Sequence, residues 1–188
     1  MEGGARRESP QQLRKALQLV QRASRRDSPR IKYYFVLADK LRASEAMTLP
    51  ALQSLLADPT TRDWIVEKEM NFDDACRGKY VDEYGTVSHR WLDSKEPDKS
   101  GEQFQAVKDY LIRHPKTKFV WYDFWAMPQG DKRTKGQGAE FKHMLSNVNL
   151  LYLGMPVLIL LDLSYLSRFW TQFEAWLSMQ CTTNGQLQ

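Results

Sequence analysis

The chain has 188 residues, 42% of them hydrophobic and 27% charged, which suits a packed domain and excludes a wholly disordered chain. Its net charge of +4 is uneven: residues 1–30 carry a net +5 and the other 158 a net −1, which argues against a body built to bind nucleic acid. Cys76 and Cys181 stand far apart and His89, His114 and His143 are scattered, so neither a zinc site of ordinary spacing nor a disulfide scaffold is expected, and a reducing, cytoplasmic home is the default.

Taken in chain order, residues 1–30 form a basic leader, disordered at first. Within it Leu13, Ala16, Leu17 and Val20 recur at helical spacing with basic residues opposite, which predicts an amphipathic helix over Gln11 to Arg26. Such a helix serves as a surface or coupling element, or as a basic face for an acidic membrane or partner. Pro29 ends it. Residues 31–79 are expected to be a helical N-terminal segment. Pro50 suits the first turn of a helix over Ala51 to Leu56, Asp58-Pro59 stops it, and a short helix runs through Trp64, Ile65 and Val66.

From residue 80 the pattern changes. Val81 to Trp91 is expected as a strand with a polar end, Glu102 to Arg113 as a helix, and Lys118 to Asp123 as a buried strand closed by an acid. A loop over 124–138 follows, with three glycines and the basic Lys132, Arg133 and Lys135, free to close over a ligand or dock a neighbour. Glu140 to Leu153 is the next helix, capped by Gly154. Pro156 to Asp162 is a continuous apolar strand and Ser167 to Met179 the last helix. The longest nearly apolar run, Leu150 to Leu161, is about half a membrane span and contains Gly154 and Pro156, so no integral membrane segment is expected. Residues 181–188 form a tail.

Alternating strands and helices over 80–180, with apolar strands, predict an α/β domain with a parallel sheet covered by helices on both faces. Right-handed crossovers then bring the carboxyl ends of all three strands to one edge, where such sheets place their crevice. Ser88, His89, Arg90, Asp123 and Asp162 would meet there.

No phosphate-binding GxxxxGK[ST], no GxGxxG after the first strand and no GxSxG elbow occurs. A triad of Ser88, His89 and Asp123 is geometrically poor, because successive strand residues point to opposite faces. A metal on His89, Asp123 and Asp162 lacks a spacing signature. Arg168 either binds an anion or pairs with Asp162. In the last helix Glu174 lies among Phe169, Trp170, Phe173 and Trp176, and shares a face with Trp170. It is either on an exposed stripe or in a partly apolar cleft, where its pKa would rise.

The ordered set TVSHRW, KFVWYD, a Gly-rich loop, PVLILLD and SRFWTQFE resembles a Toll/interleukin-1 receptor (TIR) domain, with a looser likeness to the fungal heterokaryon-incompatibility domain. Thr86-Val87-Ser88-His89 stands where the family has its first strand, Asp123 closes the second, and Trp170 and Glu174 keep the third-helix spacing, with Thr171 in place of the usual Cys. The resemblance implies a flavodoxin-like sheet and a signalling or interaction module that pairs with like or unlike TIR domains. In enzymatic relatives the third-helix glutamate serves NAD⁺ cleavage. That makes Glu174 the implied catalytic residue and Ser88, His89, Arg90, Asp123 and Trp170 the nucleotide-binding candidates. NAD⁺ is then a substrate, with no tightly bound cofactor and no metal. The family continues with two further strands, so the third strand is expected to leave an open edge. Either the N-terminal residues or another chain would cover it, or the sequence is a piece of a longer protein.

Overall fold

The computed structural model describes residues 28–91, 93, 96–130, 133–161, 169–180, 182–183 and 186–187, and of Phe169, Trp170 and the last four the backbone alone. The leader helix expected over Gln11 to Arg26 therefore lies outside the described residues, as do Asp162, Arg168, Lys132 and the side chain of Trp170.

The first element is a strand, not a helix. Ile31–Leu37 (β1, IKYYFVL) carries aromatic and branched side chains at nearly every position, the composition that suits a pleated, buried surface. It pairs antiparallel with Ile65–Met70 (β2) over six positions, from Ile31 opposite Met70 to Val36 opposite Ile65. Between them lie two short helices, Ala38–Ala43 (α1) and Leu52–Ala57 (α2). Phe72–Cys76 (α3) follows β2. The expected helical segment 31–79 thus combines short helices with a two-stranded β-ribbon. Apart from the exposed Lys32 the run is apolar or aromatic at every position, so its pattern has no clear period to separate strand from helix. β2, at the sheet edge, carries Glu67, Lys68 and Glu69, charges that discourage pairing with a further strand.

The parallel part matches the expected order. Tyr84–Ser88 (β3), Phe119–Trp121 (β4) and Val157–Ile159 (β5) run parallel, with Thr86 opposite both Trp121 and Val157. The sheet order is β2-β1-β4-β3-β5, with β1 antiparallel to β4 through Val36–Val120 and Leu37–Phe119. The whole is an α/β fold on a five-stranded mixed sheet with a parallel centre. Alternation along the strands splits the core in two. Tyr33, Phe35 and Trp121 pack with Met144, Leu151 and Tyr152 on one face. Val36, Val87 and Val120 pack with Leu41, Leu55, Phe104, Val107 and Leu111 on the other. The N-terminal strands extend the sheet beyond β4. Among the described residues the outer edge of β5 has no strand on it.

Glu102–Arg113 (α4) has the bounds the sequence predicts. A four-residue helix, Asp123–Ala126 (α5), begins at the acid expected to end a strand. Lys135–Ser146 (α6) starts earlier than expected, because Thr134 and Gln137 form a capping box around its first turn. The loop expected over 124–138 is therefore confined to the residues between α5 and α6. The single helix expected over Glu140 to Leu153 is broken at Asn147, and Asn149–Gly154 (α7) follows as a separate helix.

Gly154 does not cap that helix in a left-handed conformation; among the described residues the positive-φ glycines are Gly78, Gly101 and Gly130. Its role is close packing, since a Cβ there would lie 2.7 Å from Ala75 Cβ and 3.4 Å from Ala75 Cα. Gly154→Ala is expected to force α3 and α7 apart and cost about 1–3 kcal/mol. A lower urea midpoint with an unchanged m-value checks this.

Phe169–Ser178 (α8) is the last helix, and two short strands, Thr182–Thr183 (β6) and Gln186–Leu187 (β7), pair with each other. No helix of the described residues is long and apolar enough to cross a membrane.

Candidate active site

β3 is the point where the chain order reverses: one crossover leads to β4 on one side and the next to β5 on the other. A crevice forms beyond the carboxyl end of such a strand. That end is Ser88, followed by His89, Arg90 and Trp91.

The pleat sends Ser88 and His89 to different partners. Ser88, fully buried, donates through Oγ to Glu174 Oε2 at 2.6 Å. His89 turns to the other face, stacks on Tyr122 with ring centroids 3.9 Å apart, and sets Nε2 2.8 Å from Asp123 Oδ1. The Trp91 indole donates to Asp123 Oδ2 at 2.7 Å. Both Asp123 oxygens are thereby engaged. No Ser88–His89 hydrogen bond forms, so the triad geometry is absent, as the alternation predicts.

Glu174 reaches the cleft because α8 presents it on the face that also carries buried Thr171 and Leu177, at spacings of three. It is half-buried, not on an exposed stripe. Burial pushes its carboxyl above the usual range; hydrogen bonds from Ser88 and Tyr152 pull it back in part, and the charge of Asp123 adds to the rise. Glu174 and Asp123 line one cleft of about 170 Å³ with Trp91, Trp121, Phe141 and Tyr152 among its walls. Trp121 is 1% exposed and its indole N–H has no acceptor, so this wall holds an unspent donor.

Other groups hold the site in place. Tyr122 donates to Gln103 Oε1 at 2.6 Å, and Gln103 Nε2 donates to the Arg90 carbonyl at 2.9 Å. Gln129, also in the cleft wall, donates through Nε2 to the Asp123 and Met127 carbonyls. Its backbone exchanges two hydrogen bonds with the Gln53 amide of α2. From the basic loop, Arg133 lies over the Phe141 ring at 4.0 Å and donates to the Pro128 carbonyl. That sets one cation against an aromatic wall of the cleft.

Of the residues the sequence singles out, Asp123 and Glu174 line the cleft, and Ser88 and His89 stand behind them as their hydrogen-bond partners. Arg90 is adjacent in the chain but does not line the cleft. Trp170 lies one helical turn before Glu174, with its side chain outside the described residues. Trp91, Gln129 and Tyr152 also line the cleft, and spacing did not flag them. Among the described residues no three His, Cys, Asp or Glu side chains converge to hold a metal.

A larger hollow of about 480 Å³ opens over Tyr122, Phe124 and Trp125. Its buried carboxylate, Asp98, is spent on the first amides of α4, accepting from the Gln103 and Phe104 N–H groups at 3.0 and 2.7 Å.

Comparison of the chain with family models, with curated proteins and with solved structures finds no match.

Proposed function

We propose that this chain is a TIR-like module whose cleft cleaves the N-glycosidic bond of a nicotinamide nucleotide, with NAD⁺ as substrate and Glu174 as the essential carboxylate. The observation that carries the reading is the seat of Glu174: half-buried, bonded to Ser88 and Tyr152, and sharing a cleft with Asp123 at the strand ends. The order of the parallel strands, β4-β3-β5, is the second-first-third order with which a flavodoxin-like sheet begins, and it supports the same assignment.

The chemistry fits these groups. In NAD⁺ the leaving nicotinamide is already a pyridinium cation, so breaking the C1′–N bond needs no proton donor. Positive charge passes to the ribosyl carbon as the bond breaks, and water then attacks that carbon and loses a proton. Such a site must stabilise a cation that exists only near the transition state. A carboxylate that is costly to ionise in the empty cleft gains most when that cation forms beside it. The ribose hydroxyls would take over the hydrogen bond that Ser88 gives to Glu174. Asp123, fixed by His89 and Trp91, adds a second negative group. A cleft of this size, below the about 300–1,000 Å³ of drug-sized pockets, takes one end of a dinucleotide, and Arg133 at the Phe141 wall suits the phosphates beyond it.

A second reading is a TIR-like interaction module without catalysis. It is favoured by the edge of β5, strand-free among the described residues, and by Trp176 on α8 and Met179 just after it, which are 51% and 68% exposed. Nicotinamide release by the wild-type chain and by Glu174→Ala decides between them. Release by the wild type alone is the expected outcome. Equal background release from both, together with self-association in sedimentation runs, favours the module.

A further inference from the structure

Ser28 sits three residues before β1 and is fastened to α3. Its backbone N–H and its Oγ donate to Asp73 Oδ2 at 3.0 and 2.8 Å, and Oγ accepts from the Asp73 N–H at 3.1 Å. Ser28 is nonetheless half-exposed. In sequence it stands in Arg25-Arg26-Asp27-Ser28-Pro29, and the same order of residue types, Arg6-Arg7-Glu8-Ser9-Pro10, occurs earlier in the leader. Neither a helical nor a strand period produces such a repeat. It places two arginines before a serine and a proline after it, twice within the most basic part of the chain. The arginine pair complements the acidic substrate groove of a basophilic kinase, and the proline biases the serine before it to extended backbone.

We propose that Ser28 is a phosphorylation site for a basophilic serine kinase using ATP, and that the phosphorylated side chain loses its seat on Asp73. In the transfer, Ser28 Oγ forms a bond to the γ-phosphorus and the bridging P–O bond to the β-phosphate breaks. ADP leaves with that electron pair and the hydroxyl proton passes to the kinase's base. The product has no hydroxyl proton to give Asp73. It also brings a charge of about −1.5 to −2 against Asp73 and the adjoining Asp74. Arg30 and Arg77 act on these carboxylates from nearby, but Lys79 is already paired with Asp74 at 2.9 Å. The five-residue α3 is too short to supply a compensating anion site. Repulsion therefore dominates, and the approach to β1 comes away from α3. Phosphorylation at both repeats would lower the leader's net charge of +5 to about +1 to +2, which makes its attraction for acidic surfaces switchable.

The test uses the full chain, ATP and the catalytic subunit of cyclic-AMP-dependent protein kinase, with phosphopeptides quantified by mass spectrometry. Phosphate is expected on Ser28 and on Ser9, and Ser28→Ala keeps only the latter. Because docking on Asp73 competes with capture by the kinase, Asp73→Ala is expected to raise the rate at Ser28 relative to Ser9 by about 2- to 10-fold, the range of a net hydrogen-bond contribution. Hydrogen exchange over residues 71–77 is expected to be faster in the phosphorylated chain. Absence of phosphate on Ser28 in both wild type and Asp73→Ala would overturn the site. An unchanged Ser28-to-Ser9 ratio, or unchanged exchange over residues 71–77, would overturn the release.

Discussion

Glu174→Gln is expected to lower nicotinamide release by about 10²–10³-fold while making the chain more stable at neutral pH. Both effects come from one cause. The folded state raises the Glu174 pKa, chiefly through burial. Below the ordinary carboxylate range both folded and unfolded states hold the proton, and the residue costs nothing. As pH rises through that range the unfolded chain loses its proton first, so stability falls until the raised folded value is passed. The amide removes this loss. It still accepts from Ser88 through its oxygen, so the packing is preserved. Thermal unfolding at pH 8 should thus show a higher Tm for Glu174→Gln than for the wild type, with the gap closing toward pH 4. The wild-type rate should rise with pH along a limb displaced above the usual carboxylate range, because the ionised form stabilises the ribosyl cation. A variant that lost activity and stability together would point to a structural role only.

Asp123→Ala carries the second large effect. It takes the acceptor from the His89 ring, whose side chain is 2% exposed, and from the Trp91 indole. Leaving two donors without partners costs about 2–4 kcal/mol, seen as a lower urea midpoint. Asp123→Asn keeps one carbonyl oxygen and should lose about half as much. Turnover should fall in both variants, since the cleft loses a negative group and the strand end loses its fixed orientation. A wild-type midpoint for Asp123→Ala would show that the pairing seen here contributes nothing to folding.

The sequence made the parallel core and its strand ends legible for a physical reason. Polar residues that close apolar strands stand out, so Ser88, His89 and Asp123 were visible before the fold. Glu174 was visible because a carboxylate among aromatics is conspicuous, but its orientation was not, since helical spacing alone allows either face. The seat is set by Thr171 and Leu177 turning the same side of α8 inward. β1 was illegible as a strand because, Lys32 apart, apolar and aromatic residues fill both of its faces and leave no clear period. Trp91 and Tyr152 read as ordinary apolar residues, their polar tips being invisible in a hydrophobic pattern. The Gln53–Gln129 pairing joins residues far apart in the chain, for which one sequence holds no signal.

The central claim rests on Glu174 acting on a ribosyl carbon, and product analysis addresses it most directly. Full-length chain at high concentration is incubated with NAD⁺ near pH 8 and followed by proton NMR. The account predicts free nicotinamide and ADP-ribose forming in equal amounts with the wild type, and release reduced by about 10²–10³-fold with Glu174→Gln. Nicotinamide at the no-protein background with the wild type, or equal release from the two proteins, would contradict it.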